Sequence, residues 1–264
     1  MKKYIYILLL GLLCGCEVIP EDERLIPLPQ PEVTEGTHVL IEYTGFRCLN
    51  CPNAAAMADD LLATYGKQLV VVSMHPASNP FTQGAYDYTC PEADIYYQFM
   101  GGTASTPFPT GNIDLIEQDN DYLTDYLQWP AVLAERMSSS CNTSLSSHAE
   151  LSQDGKAIYV TTEATAIQEQ DCQIVVWLTE DNVIGVQAMP DGSANMEYRH
   201  MHMLRASGKE VWGKSVYLSA TPAVVNDTIT LPDGCQVENC HVIALTLTTQ
   251  NKQIDNATQI EIAQ

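Results

Sequence analysis

Basic residues are scarce in this chain. Twelve Lys and Arg stand against 33 Asp and Glu, a formal charge of −21. Such a surface repels nucleic acid and anionic headgroups, which excludes both as direct ligands. Long apolar runs are missing too: residues 4–13 are apolar, but a bilayer crossing needs about 20 residues. There is one Cys-x-x-Cys and no second ligand pair to match it, which argues against a structural zinc site, so no metal is expected. No phosphate loop, Ser/His/Asp motif or paired-carboxylate site stands out, and no cofactor is expected. Internal repeats and long low-complexity tracts are absent, which sets repeat architectures aside.

What is present begins with a targeting segment. Lys2 and Lys3 precede the apolar residues 4–13, the pattern of a signal peptide over residues 1–15. The run LCGC ending at Cys16 resembles a bacterial lipobox, in which Cys16 is lipidated and becomes the first residue. The other reading is a signal cut elsewhere, with Cys16 an ordinary thiol. Several acyl chains on one cysteine give stable anchoring, so contact with the membrane is expected through the lipid only. Residues 16–36 read as a tether: Glu17, Glu21, Asp22 and Glu23 are acidic, and Pro20, Pro27, Pro29 and Pro31 favour extended backbone. Fifteen such residues reach roughly 45 Å. Acid soon after the lipidated cysteine resembles surface-export signals of some Gram-negative lipoproteins, so an outer-membrane, surface-exposed position is expected. About 250 mature residues suit two domains. Of nine cysteines, seven lie beyond Cys16, in a disulfide-permissive compartment.

The run EYTGFRCLNCP from Glu42 to Pro52 carries the most chemistry. It places Cys48 and Cys51 between an apolar stretch at 39–43, read as a strand, and residues 52–65, read as a helix. Pro52 suits its first turn and Gly66 its stop. There the helix dipole and backbone N–H groups favour a thiolate, the species that attacks disulfides. Leu69 and Val70 to Val72 form a β-branched run that fits a strand at 68–74 buried on both faces. A helix is expected at 92–100, a strand at 112–116 and a helix at 121–137 that Pro130 either restarts or kinks. Strand, helix and strand in alternation argue for an α/β sheet over residues 37–140. From about residue 141 to 264 the chain changes to many short strands separated by Asp-Gly, Asn and Pro turns, which predicts an antiparallel sandwich.

These motifs resemble a thioredoxin-like domain. The resemblance implies a buried acid six residues before the first active cysteine, matched by Glu42, and a cis-proline loop facing the disulfide, matched by Pro109 in FPTG. The whole chain after the signal resembles the outer-membrane-protein-28-like lipoproteins, through VLIEYTG at 39–45, CLNCPN at 48–53, FPTG at 108–111, RHMHMLR at 199–205, VIAL at 242–245 and QIDNA at 253–257. That resemblance implies a thioredoxin-like front half and a β-sandwich back half. Cys141, Cys172, Cys235 and Cys240 are departures from its pattern.

Two readings of the Cys pair stay open. In one, Cys48 attacks a substrate disulfide, Cys51 resolves the mixed disulfide, Glu42 accepts a proton from Cys51, and Pro109 keeps a backbone edge open for the substrate. In the other, the pair is a permanent disulfide. Cys235 with Cys240, and Cys141 with Cys172, read as structural links worth about 2 and 3–4 kcal/mol, leaving Cys90 buried and inert or a third redox partner. His200 and His202, about 7 Å apart on one strand face, invite weak copper or zinc binding; a sandwich core with satisfied polar residues is the blander reading. His75 either approaches the Cys pair or is a loop histidine. The chain is therefore expected to be a lipid-anchored envelope thiol–disulfide oxidoreductase whose partners are exported or surface proteins. The alternative is a non-catalytic surface binding or adhesion lipoprotein with both domains as scaffold.

Overall fold

The computed structural model describes residues 36–263, so the signal segment, Cys16 and the tether through residue 35 lie outside the described residues. Strand β1 (His38–Tyr43) is buried along its whole length, and β2 (Leu69–Met74) runs parallel beside it. Both strands are buried on both faces and mostly apolar, so each needs cover on two sides. On one side α1 (Cys51–Tyr65) packs Ala54, Ala58 and Leu61 against Leu40 and Val71, joined by Trp129 and Leu133 of α3 (Trp129–Arg136). On the other, α2 (Pro91–Phe99) supplies Tyr96 and Tyr97, with Met100 just beyond it, to Val39, Ile41 and Tyr43. Strand β3 (Thr110–Ile113) closes this edge antiparallel to β1.

The expected helix over 121–137 is shorter than its pattern suggested. Asp119 and Asn120 adopt positive φ, Thr124 bridges back to Gly111, and the helix proper opens only at Trp129 with Pro130 in its first turn. Proline thus restarts the helix rather than kinking it.

The second half contributes β4 (Thr143–Leu151), β5 (Ala157–Ala166), β6 (Gln170–Glu180), β7 (Val183–Ala188), β8 (Ala194–His200), β9 (Met203–Ser207), β10 (Lys214–Leu218), β11 (Ala223–Thr230), β12 (Cys240–Thr248) and β13 (Ile254–Ala263). The turn at Asp154-Gly155 joins β4 to β5, with Gly155 at φ 69°, a left-handed value that glycine adopts without strain. Strand β5 alternates buried and exposed residues, as a half-covered strand should.

These strands continue the sheet of the front half. One eleven-stranded mixed sheet runs β11-β5-β4-β13-β12-β6-β9-β2-β1-β3, with β10 on β6, and β7–β8 forms a second, two-stranded sheet. The halves meet where Ser73 of β2 pairs with Met203 of β9 and donates its N–H to His202 O at 2.8 Å. Strands β6 and β12 are buried on both faces. Val176, Leu178, Val242 and Ala244 pack with Ala149, Ile158, Val160 and Ile229 of β4, β5 and β11. Val175, Trp177, Ile243 and Leu245 join the core beneath α2. There Trp177 Nε1 donates to Tyr96 Oη at 2.8 Å. The two halves thus share a core, and Val33–Gln264 forms one compact unit.

Candidate functional site

Strand β1 ends at Tyr43 and the chain turns through residues 44–50 into α1, with Cys48 N–H donating to Gly45 O at 3.0 Å. The turn brings Cys48 and Cys51 into a disulfide at a Cα–Cα separation of 5.5 Å. Cys51 is the first residue of α1, so the pair sits at the helix's amino end. The Phe108–Pro109 peptide is cis. Thr110, the next residue, pairs with Tyr43, and Phe108 belongs to the same buried cluster as both sulfurs.

Glu42 is 2 % exposed. Its Oε2 accepts from Ser73 Oγ at 3.2 Å, whereas Oε1 has no protein partner. Burial therefore lifts its carboxyl from 4.5 to about 7. Glu42 and Cys51 line one cavity of about 60 Å³, together with Ser73, His75, His200 and His202. That space suits about two waters. His75 is buried with neither ring nitrogen partnered by protein, and desolvation lowers it to about 3, so it is a neutral imidazole.

Both sulfurs are covered. Cys48 is 1 % and Cys51 2 % exposed, and the β7–β8 hairpin bonds to the main chain of the loop that carries them. Buried Gln187 donates Nε2–H to Cys48 O at 2.9 Å and to Gly45 O at 3.3 Å. Ala188 N–H donates to Phe46 O at 2.7 Å, and Val186 N–H to Tyr88 Oη at 3.0 Å. Leu49, between the cysteines, remains half exposed. Sequence reasoning read 183–187 as one more strand and missed this role. The available signal was Gly185: a Cβ there would fall 1.9 Å from Tyr88 Oη, so glycine lets the hairpin close onto the front half.

The remaining candidates divide. His200 and His202 do not share a strand face, because β8 ends at His200 and His202 turns through φ 56° before β9. His200 instead lies 5.9 Å, centroid to centroid, from His75, and His202 Nδ1 pairs with Asp181 at 3.3 Å. Among the described residues no group of three His, Cys, Asp or Glu is placed to hold a metal ion. Cys141 and Cys172 are not joined to each other, in contrast to the expected link. Cys141 Sγ fills the space beside Gly36, while Cys172 is packed with Ala164, Ala166, Ile174 and Leu218. Cys235 and Cys240 lie side by side, also unbonded, as thiols rather than the expected link. Cys90 is buried, and desolvation pushes its thiol to about 12. No described helix is long and apolar enough to cross a membrane.

A mixed-sheet protein with a buried Cys-x-x-Cys disulfide is thus defined. The family model for outer membrane protein Omp28 matches residues 96–264, and the chain belongs to that family. The match starts beyond the Cys pair. No curated protein matches the chain. Among solved structures it is similar to HBP35 of Porphyromonas gingivalis at 15 % identity and TM-score 0.68, over 86 % of this chain and 76 % of that one. It is also similar to protein AGR_C_4864 from Agrobacterium tumefaciens at 15 % identity and TM-score 0.52, over 86 % and 96 %. A domain of the outer membrane lipoprotein Omp28 from Porphyromonas gingivalis matches at 18 % identity and TM-score 0.33, over 47 % and 89 %. At such identities the first two speak to fold alone.

Proposed function

We propose that this chain is a lipid-anchored outer-membrane protein that works as a binding scaffold for exported or surface proteins. In this reading residues 37–140 are a thioredoxin-like module, the later strands build a sandwich against it, and Cys16 carries the lipid. The Cys48–Cys51 bond is structural. The observation that carries the reading is the burial of both cysteines, with Cys48 O held by Gln187 of β7. Exchange begins when a thiolate meets a disulfide sulfur in line, and burial of Cys48 to 1 % exposure opposes that approach.

A second reading, exchange through Cys48, draws on Glu42 sharing a cavity with Cys51 and on the cis peptide before Pro109. Disulfide reductase activity of the parent and of Cys48→Ser separates the two. Equal rates support the scaffold, and a loss confined to Cys48→Ser overturns it. A midpoint potential below about −300 mV marks a structural bond, and one between about −120 and −270 mV an exchanging one.

A further inference from the structure

Among the described residues the thiol with access to solvent, Cys235, lies far along the chain from the Cys-x-x-Cys motif. Between β11 and β12, Gly234 turns the chain through φ 83° and a short 3-10 turn, Val237–Asn239, leads it back into β12. This fold-back sets Cys235 and Cys240 in side-chain contact. The two differ in exposure: Cys240 is 1 % exposed, whereas Cys235 is half-buried and reaches the surface. Gln236 O, 3.3 Å from Cys240 Sγ, is the alternative acceptor for its single S–H. The loop is pinned by Gln236 N–H donating to Glu180 Oε1 at 2.7 Å, and Glu180 Oε2 pairs with Arg205 Nη1 at 3.4 Å.

We propose that Cys235 and Cys240 form a second thiol–disulfide exchange site, Cys235 attacking a low-molecular-weight disulfide and Cys240 resolving the product. The arrangement divides the labour that such chemistry requires. An attacking thiol must be reachable, and a resolving thiol must be adjacent but shielded, so that it meets only its neighbour. The electrostatics point the same way. The hydrogen bond from Cys240 holds the Cys235 thiol below its ordinary value, Arg205 adds to this, and burial and Glu180 oppose it. Cys240 is shifted upward by that same hydrogen bond and by burial.

The step balances. Cys235 thiolate bonds to one sulfur of a disulfide such as glutathione disulfide, whose S–S bond breaks to release one thiolate, which takes up a proton. Cys240 then gives up its proton and attacks Cys235 Sγ, expelling the second thiol. Two protein thiols are oxidised to one disulfide and one small disulfide is reduced to two thiols. The site lies apart from Cys48–Cys51 and holds whether that bond is structural or exchanging.

The test uses the mature chain with Cys48–Cys51 kept oxidised and Cys235 and Cys240 reduced, treated with glutathione disulfide and mapped by mass spectrometry. The parent should form the Cys235–Cys240 bond without a lasting adduct. Cys240→Ser should trap glutathione on Cys235, and Cys235→Ser should leave Cys240 unmodified. Cys90, with its thiol at about 12, sets the comparison. Three pKa units cost it about a thousandfold in thiolate, offset about twentyfold to thirtyfold by greater nucleophilicity, so Cys235 should react at least about thirtyfold faster. Equal rates at Cys235 and Cys90 in the parent, or no Cys235 adduct in Cys240→Ser, would overturn the site. The rate in the parent keeps the test valid even if a variant fails to fold.

Discussion

Replacing Gln187 by Ala tests whether the hairpin is what protects the Cys48–Cys51 bond. The two N–H groups of the Gln187 amide are shared among three carbonyls, of Cys48 at 2.9 Å, Ala188 at 3.1 Å and Gly45 at 3.3 Å. Truncation leaves buried acceptors without a donor, a penalty of about 1–3 kcal/mol. That penalty falls on the closed hairpin and not on the opened one, where water takes the donor's place. The open population therefore rises by about fivefold to a hundredfold, at about 1.4 kcal/mol per tenfold. Reduction by dithiothreitol through local opening should accelerate by the same factor. The assay is quench alkylation of Cys48 and Cys51 followed by mass spectrometry, with urea melting in parallel. Met196→Ala, on an exposed residue of the same hairpin, serves as control and should leave the rate unchanged. If Gln187→Ala stays folded and its bond is reduced no faster, the hairpin is not the barrier. An increase matching only the loss of global stability refutes the reasoning equally.

Stability should peak in mildly acidic solution. Burial lifts Glu42 from 4.5 to about 7, so the folded state keeps a proton that the unfolded chain has released, and about 3 kcal/mol is lost as pH rises through that window. Burial lowers His75 from 6.5 to about 3, so the unfolded chain protonates first, and about 5 kcal/mol is lost as pH falls from 6.5 to 3. Glu42→Gln should flatten the alkaline limb and His75→Phe the acid limb in urea titrations at about pH 4, 5.5 and 8; unchanged limbs would contradict the assignment. A fragment ending at residue 140 loses the strands that cover Tyr96 and Met100, and should melt without cooperativity and bind apolar dyes. Trp177→Ala removes the fully buried partner of Tyr96 and should cost about 3–5 kcal/mol in a denaturant titration.

Much of the front half was legible because its signals are local. The β-branched run at Val70 to Val72, the proline after Cys51 and the glycine at 66 each act within a turn or two of themselves. The alternation of β5 and its Asp154-Gly155 turn were equally readable. What escaped was set by distant partners. Gln187 meets Cys48 across 139 positions, and nothing in its own neighbourhood marks it as a cover. The RHMHMLR run alternates as a strand should, yet His202 breaks it with a left-handed φ stabilised by Asp181 accepting its N–H at 2.6 Å. How the back half's strands join the front half was not legible, because periodicity reports which face of a strand is apolar and not what covers it. Trp177 and Ile243 face the front half's core, and their strand pattern fits either neighbour.

The seam at Ser73 has a consequence for how such chains diverge. Its links, the Met203 register and the His202 carbonyl, run through main-chain atoms, which every residue type except proline supplies in full. Side chains on either bank can drift while the joint keeps its geometry. The likeness of fold to HBP35, TM-score 0.68 at 15 % identity, is compatible with a joint that asks for no particular side chains.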